Sequence, residues 1–289
     1  MENKKWMTVI KPKSGWRDID LKELWRYRDL IYLFVKRNFA TMYKQTVLGP
    51  AWIIITPLFS TLVSTFVFGG IAKIPTDGVP YFLFYMCGNV AWNYFATCLT
   101  NTSSTFVSNA HVFGKVYFPR LVAPISTVIT GLMNFVIQLF MFIVFAVWHL
   151  LSGGSSIFGE GMIHPNFWIF ALPLLVLQMA LLGLGCGIII SSLTTKYRDL
   201  TVLVGFGVSL WMYITPIIYS TTSITNENIK FLCRLNPMTP VAEVMRKAFL
   251  GTGEIDPLSW GISIAVTAVV LFVGVVLFNR VEKTFMDTV

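Results

Sequence analysis

The chain is 289 residues long, 55% hydrophobic and only 12% charged, with a net charge of +8. That balance excludes an ordinary soluble domain. The basic excess does not read as a nucleic-acid surface either, because half of the 22 Lys and Arg residues fall in the first 50 positions. Six long apolar segments follow, roughly 51–72, 81–107, 121–151, 167–193, 200–220 and 258–278. Each reaches the ~20 residues that a helix needs to cross a hydrocarbon core. Lys and Arg number 17 in the connecting segments of one side and 5 in those of the other. The positive-inside rule therefore places the 17, and both termini, in the cytoplasm. The expectation is an all-α integral membrane protein of six transmembrane helices, multi-pass in a plasma (bacterial inner) membrane. Three parts result: a cytoplasmic segment 1–50, a transmembrane domain 51–279 and a tail 280–289.

In chain order, residues 1–20 read as a flexible lead-in without a cleavable signal pattern, so the first span is the expected insertion signal. Leu24 to Met42 then reads as an amphipathic helix. Leu24, Tyr27, Leu30, Ile31, Phe34, Val35, Phe39 and Met42 share a face, and Arg26, Asp29, Lys36, Arg37 and Lys44 fall opposite. Arg28 lies at the edge, where it can snorkel. This pattern suits a helix in the interface plane of the cytoplasmic leaflet. Gly49-Pro50 breaks the chain before the first span, Trp52 sits where an interfacial anchor belongs, and Pro57 lies inside the span.

The second span is unusual for a membrane helix. Asn89, Asn93, Thr97, Thr100, Asn101, Ser104 and Ser108 recur every three or four residues and form one polar stripe, flanked by Tyr81, Tyr85, Trp92 and Phe106. Such a face must look into protein or water. Two readings stand: hydrogen bonding between helices, or the lining of a conduit, which the aromatic flank favours. Trp52, Trp211 and Tyr213 are the next conduit candidates, in the first and fifth spans. The short segment 109–120 carries Phe113, Lys115, Tyr117, Phe118, Pro119 and Arg120, residue types that dominate protein interfaces. It reads as a docking element, or as an interfacial turn.

The third span carries a weaker polar line, Thr130, Asn134 and Gln138. In the fourth, Gly183, Gly185 and Gly187 permit close helix packing. A turn with Arg198 and Asp199 leads to the fifth span, which ends at Thr215-Pro216. The external segment 221–257 is too apolar for a loop and reads as two short re-entrant helices broken at Asn236-Pro237.

Cys87, Cys98, Cys186 and Cys233 show no metal or disulfide spacing, and His111, His149 and His164 lie in no metal motif, so no metal site is expected. There is no phosphate-binding loop, since Gly114-Lys115 is followed by Val116. The chain should not hydrolyse ATP, and it needs no cofactor of its own. No acidic residue lies within a predicted span, which argues against proton or ion coupling. The economical energy source is a separate ATPase docked at the cytoplasmic turns.

Several local patterns now converge. Tyr43-Lys44-Gln45-Thr46-Val47-Leu48-Gly49-Pro50-Ala51-Trp52 resembles the opening of the first span in polysaccharide-export ABC transporter permeases, the O-antigen, capsule and teichoic acid exporters. Val116-Tyr117-Phe118-Pro119-Arg120 is similar to that family's cytoplasmic coupling helix, and Tyr197-Arg198-Asp199-Leu200 to its loop between spans four and five. Asn236-Pro237-Met238, Glu243, Arg246 and Leu250-Gly251 resemble its external segment, and Glu282 and Phe285 its tail. The interface helix departs from the pattern: Asn38 follows Arg37, and Ala40 and Met42 stand where bases are common.

The resemblance implies a homodimer with two copies of a cytoplasmic ABC ATPase, which would bind Mg-ATP. The substrate would be a glycan on a polyprenyl diphosphate lipid, taken from the membrane and passed through a channel between protomers. The implied coupling residues are Phe113, Lys115, Tyr117, Phe118, Pro119, Arg120, Arg198 and Asp199. Arg28, Lys36, Arg37 and Lys44 are lipid-headgroup candidates. Tyr81, Tyr85, Asn89, Trp92, Asn93, Thr97, Trp211 and Tyr213 are glycan-conduit candidates. Two alternatives are a permease for a drug or free lipid, and an integral-membrane enzyme acting on lipid-linked sugars. The isolated Asp77, Glu160 and Asp199 count against the enzyme.

Overall fold

The computed structural model describes residues 21–44, 48–113, 115, 118–156, 159–194, 197 and 199–284. Tyr117 and Arg198, the Gln45–Val47 run, Val116, Phe285 and the lead-in before residue 21 lie outside the described residues. The chain forms α1 (Leu21–Arg26), α2 (Arg28–Tyr43), α3 (Trp52–Ser64), α4 (Tyr81–Ser103), α5 (Thr105–Phe113), α6 (Val122–Leu151), α7 (Leu172–Thr194), α8 (Leu200–Ile214), α9 (Glu227–Leu235), α10 (Thr239–Leu250) and α11 (Pro257–Thr284). Its strands, among the described residues, are a two-residue antiparallel pair at Ser155–Ser156 and Gly159–Glu160. Among the described residues, four helical stretches are long and apolar enough to cross a membrane: Gly49–Ile71, Val122–Leu151, Phe167–Thr194 and Pro257–Val281. The protein is a multi-pass, all-helical membrane protein.

The chain pattern explains most boundaries. Pro50 sits in the first turn of a short 3-10 helix that runs into α3, where its missing N–H costs nothing. Pro57 does not end that helix, which continues through a π-helical stretch at Thr65–Ile71. Asn226 caps α9 by accepting from the Asn228 N–H, and Gly251 ends α10 in the left-handed conformation that suits glycine.

Several sequence expectations change. The interface helix is not continuous, because Tyr27 separates α1 from α2. The second span is shorter than 81–107: the chain turns at Ser104 and starts again as α5. Of the expected coupling segment, the described residues 118–120 are not helical, and α5 lies upstream of them. The helix of the fifth span stops at Ile214, just before the expected break at Thr215-Pro216, and the rest of that apolar segment, Thr215–Ser220, is not helical. Conversely, the last span runs without interruption into the expected tail, to Thr284.

At the centre lies α4, buried along most of its length. It packs on α6, α7 and α10, and α7 packs in turn on α11. Small residues make those approaches possible. A Cβ added at Gly187 would fall 2.5 Å from Thr102 Cβ of α4, and one at Gly185 would fall 2.9 Å from Leu271 N of α11. Gln178 joins the same layer, donating to Ser263 Oγ and accepting from Trp260 Nε1. By contrast α8 is peripheral, with Val208 its one buried residue.

The two ends of the bundle are built differently. At the end carrying α9 and α10, Arg246 is 1% exposed. Its guanidinium lies 4.0 Å from the Phe84 ring centre. It donates to the Ile217 and Tyr219 carbonyls and to Glu243 Oε1, at 2.8, 3.2 and 3.3 Å. The carbonyls freed where α8 stops are thus capped by a buried side chain, the kind of partner that irregular backbone needs. At the other end, the basic end, Phe34, Phe106, Phe113, Phe118 and Phe278 form a separate aromatic cluster.

A polar cleft at the basic end

The polar stripe of α4 splits into two halves with different fates. In the first half, Asn89 Nδ2 donates to Thr61 Oγ1 of α3 at 3.3 Å, and Asn93 Nδ2 to Gln138 Oε1 of α6 at 3.4 Å. Tyr85, Asn89 and Trp92 are buried within the chain, not on an open face. Trp92 and Phe95 pack against Trp211, whose Nε1 donates to Asn236 Oδ1, and Tyr81 stacks on Tyr85. Here helix-to-helix bonding accounts for the polar residues. Of the eight conduit candidates only Tyr213 is exposed; Tyr81, Asn93, Thr97 and Trp211 are half-buried.

The second half opens. Thr97, Asn101, Ser104 and Ser108 line a cleft of about 450 Å³ between α2, α4, α5 and α6. Its other walls are Arg37, Asn38, Thr41, Met42, Asn109, Thr127, Thr130 and Gly131. Every charged or polar wall residue except Arg37 is a hydroxyl or a carboxamide. Arg37 Nη2 donates to Asn109 Oδ1 at 3.1 Å, and Nε and Nη2 share Asn38 Oδ1 at 3.3 and 3.1 Å. Its guanidinium sits 4.3 Å from the Phe34 ring centre. Partial burial lowers its pKa, but a guanidinium starts so high that it stays charged. The cleft therefore offers one fixed cation and a ring of hydroxyl and amide groups, the donor set that suits a phosphate and the sugar hydroxyls beside it.

The other headgroup candidates stand apart. Arg28 pairs loosely with Asp29 at 3.9 Å and lies over Trp25, while Lys36 and Lys44 are exposed away from the cleft. Asn38, Thr41, Asn109 and Thr127 are wall residues that sequence reasoning did not single out. Their signal was weak, because three distant stretches contribute them, and only the Thr130 line hinted at it.

The coupling candidates also divide. Phe113 and Phe118 are 4% exposed and face inward, contrary to a docking role for their rings. Lys115 and Asp199 are exposed, and Pro119 and Arg120 are half-buried, with the Arg120 guanidinium 5.7 Å from the Phe113 ring. Inward-facing aromatic residues are what a short segment between two helices needs in order to hold its shape.

A sequence profile described as ABC-2 type transporter matches residues 29–250, from α2 to the end of α10. The chain belongs to the ABC-2 type transporter family. It is also similar to O-antigen export system permease protein RfbA from Klebsiella pneumoniae, 27% identical over 261 residues, covering 90% of this chain and 94% of that protein. RfbA from Myxococcus xanthus is 26% identical over 270 residues, covering 93% and 98%. The profile match runs through α2, the cleft and the α9–α10 pair, and the relatives, each covering at least 90% of this chain, indicate a transport subunit.

Proposed function

We propose that this chain is the transmembrane permease subunit of an ABC transporter that exports a polysaccharide carried on a polyprenyl diphosphate lipid. In this reading it spans the bacterial inner membrane six times, with both termini cytoplasmic and α9 and α10 re-entering from the far side. Two copies pair, and two copies of a separate ATPase bind Mg-ATP below them. The cleft supports the substrate class best. A drug or free-lipid exporter calls for an apolar pocket, whereas these walls are hydroxyls, carboxamides and one arginine. A membrane enzyme calls for a carboxylate, and none lines the cleft.

In the proposed cycle, Arg37 meets the diphosphate as the lipid enters beside α2. Thr97, Asn101, Ser104 and Ser108 exchange weak hydrogen bonds with the first sugars, which lets the polymer move on. Its path continues between the two copies, along the faces of α3 and α8 that one protomer leaves uncovered. Phe59, Phe66, Phe206 and Tyr213, all more than half exposed, offer rings for stacking there. Lys115, Arg120 and Asp199 are the residues best placed to touch the ATPase.

Deletion of this chain tests the reading. Lipid-linked glycan accumulates inside the cell and surface polymer is lost, and an ATPase co-purifies with the tagged chain. Normal surface glycan in the deletion strain would reject it.

A further inference from the structure

We infer that Asp77 is a positioning residue: it clasps the connection after α8 to the connection after α3, and so fixes the mouth of the polymer path at the end carrying α9 and α10. The inference rests on the path along α3 and α8 proposed above. Its centre is the Asp77 carboxylate. Oδ2 accepts from Ser220 Oγ at 2.5 Å, and Oδ1 accepts from Thr222 Oγ1 at 2.8 Å. Hydroxyls bond an ionised acceptor at such lengths, and these bonds are stronger than neutral ones. The partners lie 143 and 145 residues away in the chain. Ser220 is 1% exposed, whereas Asp77 and Thr222 are exposed. One arm of the clasp is therefore seated in the bundle, and the other faces outward.

Three features make this a positioning device and not a chance surface contact. First, the turn that carries Asp77 is fixed. Asp77 and Gly78 have φ of +53° and +78°, the left-handed pair of a type I′ turn, closed by the Val79 N–H on the Thr76 carbonyl at 3.1 Å. Thr76 Oγ1 donates back to the Val79 carbonyl at 2.6 Å. Second, the turn is backed from its other side. A Cβ at Gly161 would collide with the Gly78 carbonyl, and His149 Nε2 holds Gly161 in place by donating to its carbonyl at 2.7 Å. The connection after α6 thus braces the bracket that Asp77 stands on. Third, α8 needs an outside hold, because Val208 is its one buried residue. Arg246 ties the chain after α8 to α10 through the Ile217 and Tyr219 carbonyls. Asp77 ties the next residues to the connection after α3, the other wall of the path. Since α3 and α8 both rest on α4, the clasp closes a triangle, and the two walls keep one spacing where the polymer leaves.

The test starts with amide hydrogen exchange of the purified chain in nanodiscs, which needs no substrate. Asp77→Ala should speed exchange in residues 215–223 about fivefold or more, the weight of roughly one charge-assisted bond at an exposed site. Exchange in α10 and the melting temperature should hold. Thr222→Val, which loses the hydroxyl at nearly constant size, should change the same residues by less, and Thr222→Ser should match the parent. Adding Thr222→Val to Asp77→Ala should have no further effect, because the bond it removes is already gone. In cells, Asp77→Ala should slow the appearance of surface glycan about threefold or more, a loss of the size that changes within a coupled network produce. ATP turnover of the complex should not fall with it, and Thr222→Ser should export normally. Unchanged exchange in 215–223 would overturn the clasp. Faster exchange with undiminished export would overturn its positioning role. A lower melting temperature, with turnover and export falling together, would make Asp77 a structural residue only and overturn the proposal as well. If deletion of the whole chain leaves surface glycan normal, the transporter reading falls, and the exchange measurement still decides the clasp.

Discussion

Arg37 and Arg246 show how the same side chain takes opposite roles at the two ends of one bundle. Each guanidinium rests on a phenylalanine ring, at 4.3 and 4.0 Å. Arg246 is enclosed, and its two Nη groups donate to a carboxylate and two carbonyls. Arg37 is exposed, and among the described residues its hydrogen bonds go to neutral carboxamides. An arginine whose charge is already neutralised holds structure together. One whose charge is met by amides alone retains capacity for an anion, which is the stronger partner.

The comparison breaks most sharply at Arg246. Arg246→Met should cost on the order of 3–5 kcal/mol, because it leaves Glu243 charged and unpaired in the interior. Thermal unfolding of the purified chain measures this. Adding Glu243→Gln should return much of the loss, and a cost below about 1 kcal/mol for the single change would contradict the structural role of Arg246. Arg37→Gln should leave that melting temperature almost unchanged. Its effect falls on function: losing charge-assisted bonds worth about 1.5–3 kcal/mol lowers affinity roughly 10- to 100-fold. Binding of a short-chain prenyl diphosphate to the purified complex reads it out. Arg37→Lys should fall between the two, since the charge remains while the planar fork is lost. The smallest effect belongs to the closed half of the α4 stripe. Asn93→Ala removes one 3.4 Å bond to Gln138, worth about 0.6 kcal/mol in membranes. Asn101→Ala, in the open half, should instead slow export with no measurable loss of stability.

Hydropathy and charge made the membrane class and most helices legible, and spacing exposed the α4 stripe and the α9–α10 pair. What periodicity conceals is the neighbour. Asn93 and Asn101 lie on one line of one helix, yet one meets Gln138 and the other an open cleft, because α6 supplies a partner at only one level. Phe113 and Phe118 misled for a related reason: an aromatic residue in a short segment reads as a contact for others until Phe34 is placed against it. The early end of α8 was visible in Thr215-Pro216, but the capping of the freed carbonyls by Arg246, 29 residues beyond Ile217, was not.

The shortness of α8 bears on the lipids around the protein. Its 15 helical residues reach about 22 Å, against a hydrocarbon core of about 30 Å. If α8 crosses the bilayer, the irregular Thr215–Ser220 stretch must supply the missing depth, or the bilayer must thin to meet it. Acyl-chain length then becomes a control on the protein. Thick bilayers load the Arg246-capped turn, and thin ones relieve it, at a modest cost for each ångström of mismatch.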